Sequence, residues 1–238
     1  MLVRSRPELV QSIHEAFLAA GSDAVETNTF GANKLVFGEF DEELISWTRD
    51  INREAAQVAR AACDKHATEA RPRFVLGSMG PGTKLITLGQ VSWESMLESY
   101  AEQARGLIDG GVDAFLIETA QDLLQVKCAI NACLLALEES GRTVEDIPIM
   151  VSVTIETTGT MLLGAEIAAA VTALRPFPIL SLGLNCATGP VEMADHIDHL
   201  SRNWDRHISV VPNAGLPVLH EGQPSFPLGP EPMADALR

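Results

Sequence analysis

Cationic residues are scarce in this chain. Lys and Arg number 17 against 32 Asp and Glu, a formal net charge of −15. Nucleic acids and anionic membrane surfaces need a basic footprint, so the balance argues against both as partners. Cysteine is scarce as well. Cys63, Cys128, Cys133 and Cys186 are too few and too scattered to frame 238 residues with disulfides. Long apolar runs are missing. Arg4, Arg6, Glu8 and His14 interrupt the first turns of the chain, which argues against a signal peptide. The longest largely apolar stretch, Ile147 to Val153, falls far short of the ~20 residues that span a bilayer. The expected compartment is the cytoplasm, with thiols reduced. No linker and no low-complexity segment breaks the chain.

What is present is an alternation. Six short apolar or β-branched runs read as strands: Ala24–Phe30, Phe74–Met79, Ala114–Thr119, Ile149–Glu156, Ile179–Cys186 and Ile208–Asn213. Most are nearly continuous in apolar residues, as parallel strands buried on both faces are. Helical spacing fills the gaps. One pattern runs from Pro7 to a stop at Gly21, another from Leu44 to Ala62. A third follows a candidate N-cap at Ser92 and stops at Gly110-Gly111. Leu123–Leu137, Ile167–Leu174 and Val191–Leu200 complete the set, and a further helix starts after Pro232. Strand and helix in alternation predict a parallel α/β fold.

Spacing separates the α/β options. Strand exits recur roughly every 37 residues, so eight units need roughly 300, a barrel with insertions. Six units fit here, and the chain opens and closes on helices. The expectation is therefore a (β/α)8 TIM barrel truncated at both ends, with about six of eight strands present. A doubly wound open sheet is the other option, but no strand is followed by a dinucleotide glycine fingerprint. A weak internal echo supports repeated units: Gly21-Ser-Asp23 and Gly111-Val-Asp113 both lead into strands, and three exits read Glu-Thr at 26–27, 118–119 and 156–157.

In such folds chemistry sits at the carboxyl ends of strands. The exits here carry carboxylates, amides, hydroxyls and one thiol, with no His and no Arg. Carboxylates around one rim repel unless a cation joins them. A substrate ammonium or a metal fits that need, and so does the plain alternative of ion pairs and helix caps. Glu118, at the end of a strongly apolar strand, is the strongest functional candidate. Cys186 follows Asn185 at another exit. It reads as a buried small hydrophobe, a nucleophile or a metal ligand. No exit supplies the His base that a nucleophile needs, which favours thiolate on zinc, although a stable zinc site takes three or four ligands.

Three other patterns carry less. Gly77–Lys84 imitates a phosphate loop, but Thr83 separates Gly82 from Lys84, and a tight strand-to-helix turn explains the glycines. His196 and His199 lie beside Asp195 and Asp198 and read as a solvated helix face. Asp41-Glu42-Glu43 reads as a helix start.

Taken together, the exits resemble one family. Glu26-Thr-Asn-Thr-Phe-Gly-Ala-Asn33, Gly77-Ser-Met-Gly-Pro81, Leu116-Ile-Glu-Thr119, Val151-Ser-Val-Thr-Ile-Glu156 with Thr158–Gly164, Gly183-Leu-Asn-Cys-Ala-Thr-Gly-Pro190 and Pro212-Asn-Ala-Gly-Leu-Pro217 are similar to the homocysteine S-methyltransferases. The likeness is to the homocysteine-binding module of the cobalamin-dependent, methionine-forming branch. It runs from about Pro7 to the last residue. It implies a (β/α)8 barrel, one domain over 1–238, that binds homocysteine and zinc at its carboxyl face. Cys186 matches the first zinc-binding cysteine and Asn213 an asparagine whose oxygen holds the metal's open position. Glu118 matches the carboxylate that receives the homocysteine ammonium, and Thr27 and Ser78 fall where the amino-acid end is held. The methyl group comes from methylcobalamin, recharged from methyltetrahydrofolate on other domains. Alternatives are a cobalamin-free enzyme using betaine or S-methylmethionine, and a non-catalytic binding protein. The chain departs from the family pattern in two places. The first strand is missing, and residues 216–238 lack the Cys-Cys pair that completes the family's zinc site. The expectation is a fragment of a longer protein, inactive by itself.

Overall fold

A computed structural model of the chain describes residues 1–220 and 222–238. The elements follow in order: α1 (Leu2–Ser5), α2 (Pro7–Ala20), β1 (Ala24–Glu26), α3 (Lys34–Phe40), α4 (Glu42–Ile45), α5 (Thr48–His66), β2 (Phe74–Met79), α6 (Trp93–Gly110), β3 (Ala114–Ala120), α7 (Leu123–Glu139), β4 (Ile149–Val153), α8 (Ile167–Leu174), β5 (Ser181–Asn185), α9 (Pro190–Asn203), β6 (His207–Val211), β7 (Val218–His220), β8 (Gln223–Ser225) and α10 (Pro230–Ala236). All six expected strands form, and the sheet order is the chain order, β1 to β6. Among the described residues no helix is long and apolar enough to cross a membrane.

The chain divides into two compact units, Met1–Ile117 with Leu124–Met150, and Glu118–Leu123 with Val151–Arg238. In the first, β1 pairs parallel with β2 from Ala24↔Phe74, and β2 with β3 from Leu76↔Ala114. Ala55, Ala56, Ala59 and Ala62 form a fully buried small-residue face on α5, which packs on α2 and α6. The expected stops hold. Gly21 and Gly111 end α2 and α6 in the left-handed conformation, and the Ser92 hydroxyl accepts the Ser95 N–H at the start of α6. In the second unit β5 and β6 pair parallel from Ser181↔His207 to Asn185↔Val211, and β7 and β8 form an antiparallel hairpin.

Several sequence expectations change at element ends. The first strand stops at Glu26 because Thr29 N–H turns back to Thr27 C=O at 2.9 Å. The helix expected over Leu44–Ala62 is two, α4 and α5, since Trp47 interrupts the run. Asp41 caps α4 through the Glu43 N–H, as the acidic start predicted. The helix Lys34–Phe40 and the β7–β8 hairpin carry no strong periodicity and were not anticipated. The Gly77–Lys84 segment is not a tight strand-to-helix turn: β2 runs on to Met79 and α6 begins only at Trp93.

His14 on α2 is buried, and its Nε2 has no hydrogen-bond partner among the described residues. It lines a cavity of about 490 Å³ with Val10, Phe17, Val25, Glu26 and Thr27. Burial lowers its pKa, so the folded protein holds it neutral. The unfolded chain takes a proton near the ordinary His value of about 6.5 and the folded chain resists it, so stability drops as pH falls below that value. His14→Leu is expected to narrow the difference in urea-unfolding free energy between about pH 7.5 and about pH 5.5. An unchanged difference rules out a buried neutral His14.

Candidate functional site at the carboxyl ends of β3 and β5

Glu118 and Thr119 lie at the end of β3, Asn185 is the last residue of β5, and Cys186 follows it. All four belong to the second unit. A strand of Leu182-Gly-Leu184 ending on an amide buries a polar group at its tip, and Asn185 is only 5% exposed. Buried amides must find partners. Asn185 Oδ1 accepts the Thr119 N–H at 2.9 Å, and Nδ2 donates to Thr119 Oγ1 at 2.8 Å. The same Nδ2 lies 3.3 Å from Cys186 Sγ and 3.4 Å from Glu118 Oε2. Thr119 Oγ1 and Cys186 Sγ are 3.7 Å apart. The thiol and the carboxylate singled out from the sequence thus meet on one carboxamide.

The backbone here is strained. Among the described residues, the non-glycine residues with positive φ are Thr119 (+54°), Cys186 (+60°) and Ala187 (+55°). A β-branched residue in this region is rare, and such strain costs of order 1–3 kcal/mol and persists only where the surroundings over-determine it. The surroundings do so. Thr154 Oγ1 donates to the Asn185 C=O at 3.0 Å, and Cys186 N–H donates to the Val211 C=O at 3.2 Å.

Asn213 lies in the loop after β6, half-buried, and its N–H donates to the Thr188 C=O at 3.0 Å. A Cβ on Gly189 would come within 2.9 Å of Gly215 Cα, so only glycine lets the loops after β5 and β6 approach this closely. The loops bearing Cys186 and Asn213 are therefore neighbours.

Thr27 and Ser78 sit in the first unit. Both are buried in a hydroxyl network: Thr27 Oγ1 meets Thr29 Oγ1 and accepts the Ser78 N–H at 3.0 Å, and Thr29 Oγ1 donates to the Ser78 C=O at 2.7 Å. Gln103, which sequence reasoning missed, donates to the Thr29 C=O at 2.8 Å.

Of the four cysteines, Cys186 is the one not buried. Burial pushes the thiols of Cys63, Cys128 and Cys133 up, Cys128 to about 12, so these stay protonated and inert. Among the described residues no group of three His, Cys, Asp or Glu could hold a metal. His196 and His199 on α9 build none. Zinc takes three or four protein ligands, so the donors described here do not by themselves fit it.

The fold is α/β, of the truncated-barrel type, and its thiol and carboxylate meet at the carboxyl ends of two strands. The model of the family Homocysteine S-methyltransferase matches residues 1–238, and the chain belongs to that family of methyltransferases. Methionine synthase of Mycobacterium tuberculosis (strain ATCC 25618 / H37Rv) is 48% identical over 237 residues, covering 100% of this chain and 20% of that protein. Methionine synthase of Mycobacterium leprae (strain TN) is 47% identical over the same length, 19% of its own. The chain thus spans about a fifth of the length of these relatives. The Escherichia coli homocysteine methyltransferase MmuM in its metallated form superposes with a TM-score of 0.73 at 21% identity. That match covers 90% of this chain and 75% of MmuM. The apo form gives 0.69. These superpositions show a shared fold.

Proposed function

We propose that this chain is the homocysteine-binding module of a cytoplasmic methionine synthase. The observation that carries the reading is the shared amide: Glu118 and Cys186 both face Asn185 Nδ2, at 3.4 and 3.3 Å. Homocysteine has a cationic ammonium at one end and a thiol at the other. Glu118 is the acceptor for the ammonium, by a charge-assisted hydrogen bond. Cys186 and Asn213 mark the sulfur end and are the donors this chain would lend to zinc. The remaining donors are not among the described residues. The roles of Thr27 and Ser78 rest on the resemblance alone.

The methyl donor in this reading is methylcobalamin, recharged from methyltetrahydrofolate on other domains of a longer polypeptide. The relatives' length supports that arrangement over a cobalamin-free enzyme using betaine or S-methylmethionine. The test is a titration of ¹⁵N-labelled chain with L-homocysteine. The amides of Glu118, Thr119 and Cys186 are expected to shift, and those of the exposed Gly141 turn to stay still. A site whose amides ignore homocysteine ends the proposal.

A further inference from the structure

We infer that Asn185 is a positioning residue: its carboxamide sets the Glu118 carboxylate and the Cys186 thiol at a fixed separation for the two ends of the substrate. The inference rests on the homocysteine reading above and adds to it the group that registers amino end against sulfur end.

The two halves of the carboxamide do different work. Oδ1 accepts the Thr119 N–H at 2.9 Å and so holds β3's end in its left-handed conformation. That is bracing of the backbone. The amino half has two N–H groups. One is spent on Thr119 Oγ1 at 2.8 Å. The other faces Cys186 Sγ at 3.3 Å, an ordinary reach for a sulfur acceptor, and Glu118 Oε2 at 3.4 Å, long for an N–H···O bond. A donor shared between a thiol and a distant carboxylate oxygen is able to tighten onto either one as substrate arrives. The Asn185 main chain cannot slide, because Thr154 Oγ1 holds its C=O, and the side chain is buried where water cannot replace it. A donor in that setting is costly to lose.

Asn185→Asp keeps the acceptor for the Thr119 N–H and removes the donor, while Asn185→Ala removes both. L-homocysteine dissociation constants are read by NMR titration, and the Thr119 amide by hydrogen exchange. With Asp the Thr119 amide is expected to stay protected while homocysteine binds about tenfold more weakly, the loss expected for one buried hydrogen bond. With Ala both are expected to be lost. Wild-type affinity in Asn185→Asp overturns the inference, since the amide then only braces the backbone. Should the variants not fold, the wild-type Asn185 side-chain NH₂ signals decide: they are expected to shift on homocysteine binding, and their standing still in a bound complex overturns the inference. A wild-type chain that binds no homocysteine fails at the earlier step, the homocysteine reading, and takes the positioning role with it.

Discussion

Replacing Gly183 with alanine is expected to destabilise the second unit by more than about 4 kcal/mol. Gly183 lies in β5, directly opposite Ser209 of β6 in the parallel register. An ideal Cβ there falls 2.1 Å from the Ser209 carbonyl oxygen and 2.1 Å from its hydroxyl oxygen. The hydroxyl can rotate away, but the carbonyl belongs to the neighbouring strand. Relief requires β5 and β6 to separate, which breaks the ladder Ser181↔His207 to Asn185↔Val211. Overpacking that moves backbone falls at the exceptional end of single substitutions, above about 4 kcal/mol. Domain stabilities are about 5–15 kcal/mol, so the variant is left marginal. Gly141→Ala is the control. Its φ is +69° but a Cβ there meets nothing within 4 Å, so only backbone strain is added, about 1 kcal/mol. Urea unfolding followed by circular dichroism compares the two. A Gly183→Ala curve matching that of Gly141→Ala means that β5 and β6 do not approach as described.

Glu118→Gln is expected to weaken L-homocysteine binding about 10- to 150-fold. The size is that of losing a charge-assisted hydrogen bond outright, about 1.5–3 kcal/mol, because a glutamine whose oxygen faces Asn185 turns its NH₂ toward the ammonium. Glutamine keeps the shape, and its amide oxygen still faces Asn185 Nδ2, so the thermal midpoint is expected to move by no more than a few degrees. The comparison that isolates the charge is a homocysteine analogue lacking the amino group: wild type and Glu118→Gln are expected to bind it alike. Equal affinity of the two proteins for homocysteine itself removes Glu118 from the ammonium's site.

Strand positions were legible because buried parallel strands are continuous in apolar residues. Phe74–Met79 was matched residue for residue, and Ala114–Thr119 to within one. Helix ends were legible where glycine and serine act locally, the stops at Gly21 and Gly111 and the start at Ser92. The break at Trp47 was not, because Leu44, Ile45 and Ile51 keep helical spacing across it. Strand ends were overextended to Phe30 and Glu156: Thr27 and Thr154 each give one last N–H to the neighbouring strand, at Leu76 and Ala120, and apolar and β-branched residues continue past that point outside β1 and β4.

Glu118 and Cys186 were legible as candidates, each from its own place at a strand exit. Asn185 was visible only as a neighbour of the cysteine. Its role comes from bonds to Thr119, 66 positions away. The amino-acid sequence by itself determined the alternation of strand and helix, and hence which residues reach the carboxyl ends of strands. Periodicity and capping act over a few residues, and those rules are written locally. The tertiary structure alone decided that Thr119 and Cys186 take left-handed backbones and that one amide joins a thiol to a carboxylate. Those depend on groups far apart in the chain that become neighbours only when β3 and β5 are in place, and no local pattern records that distance.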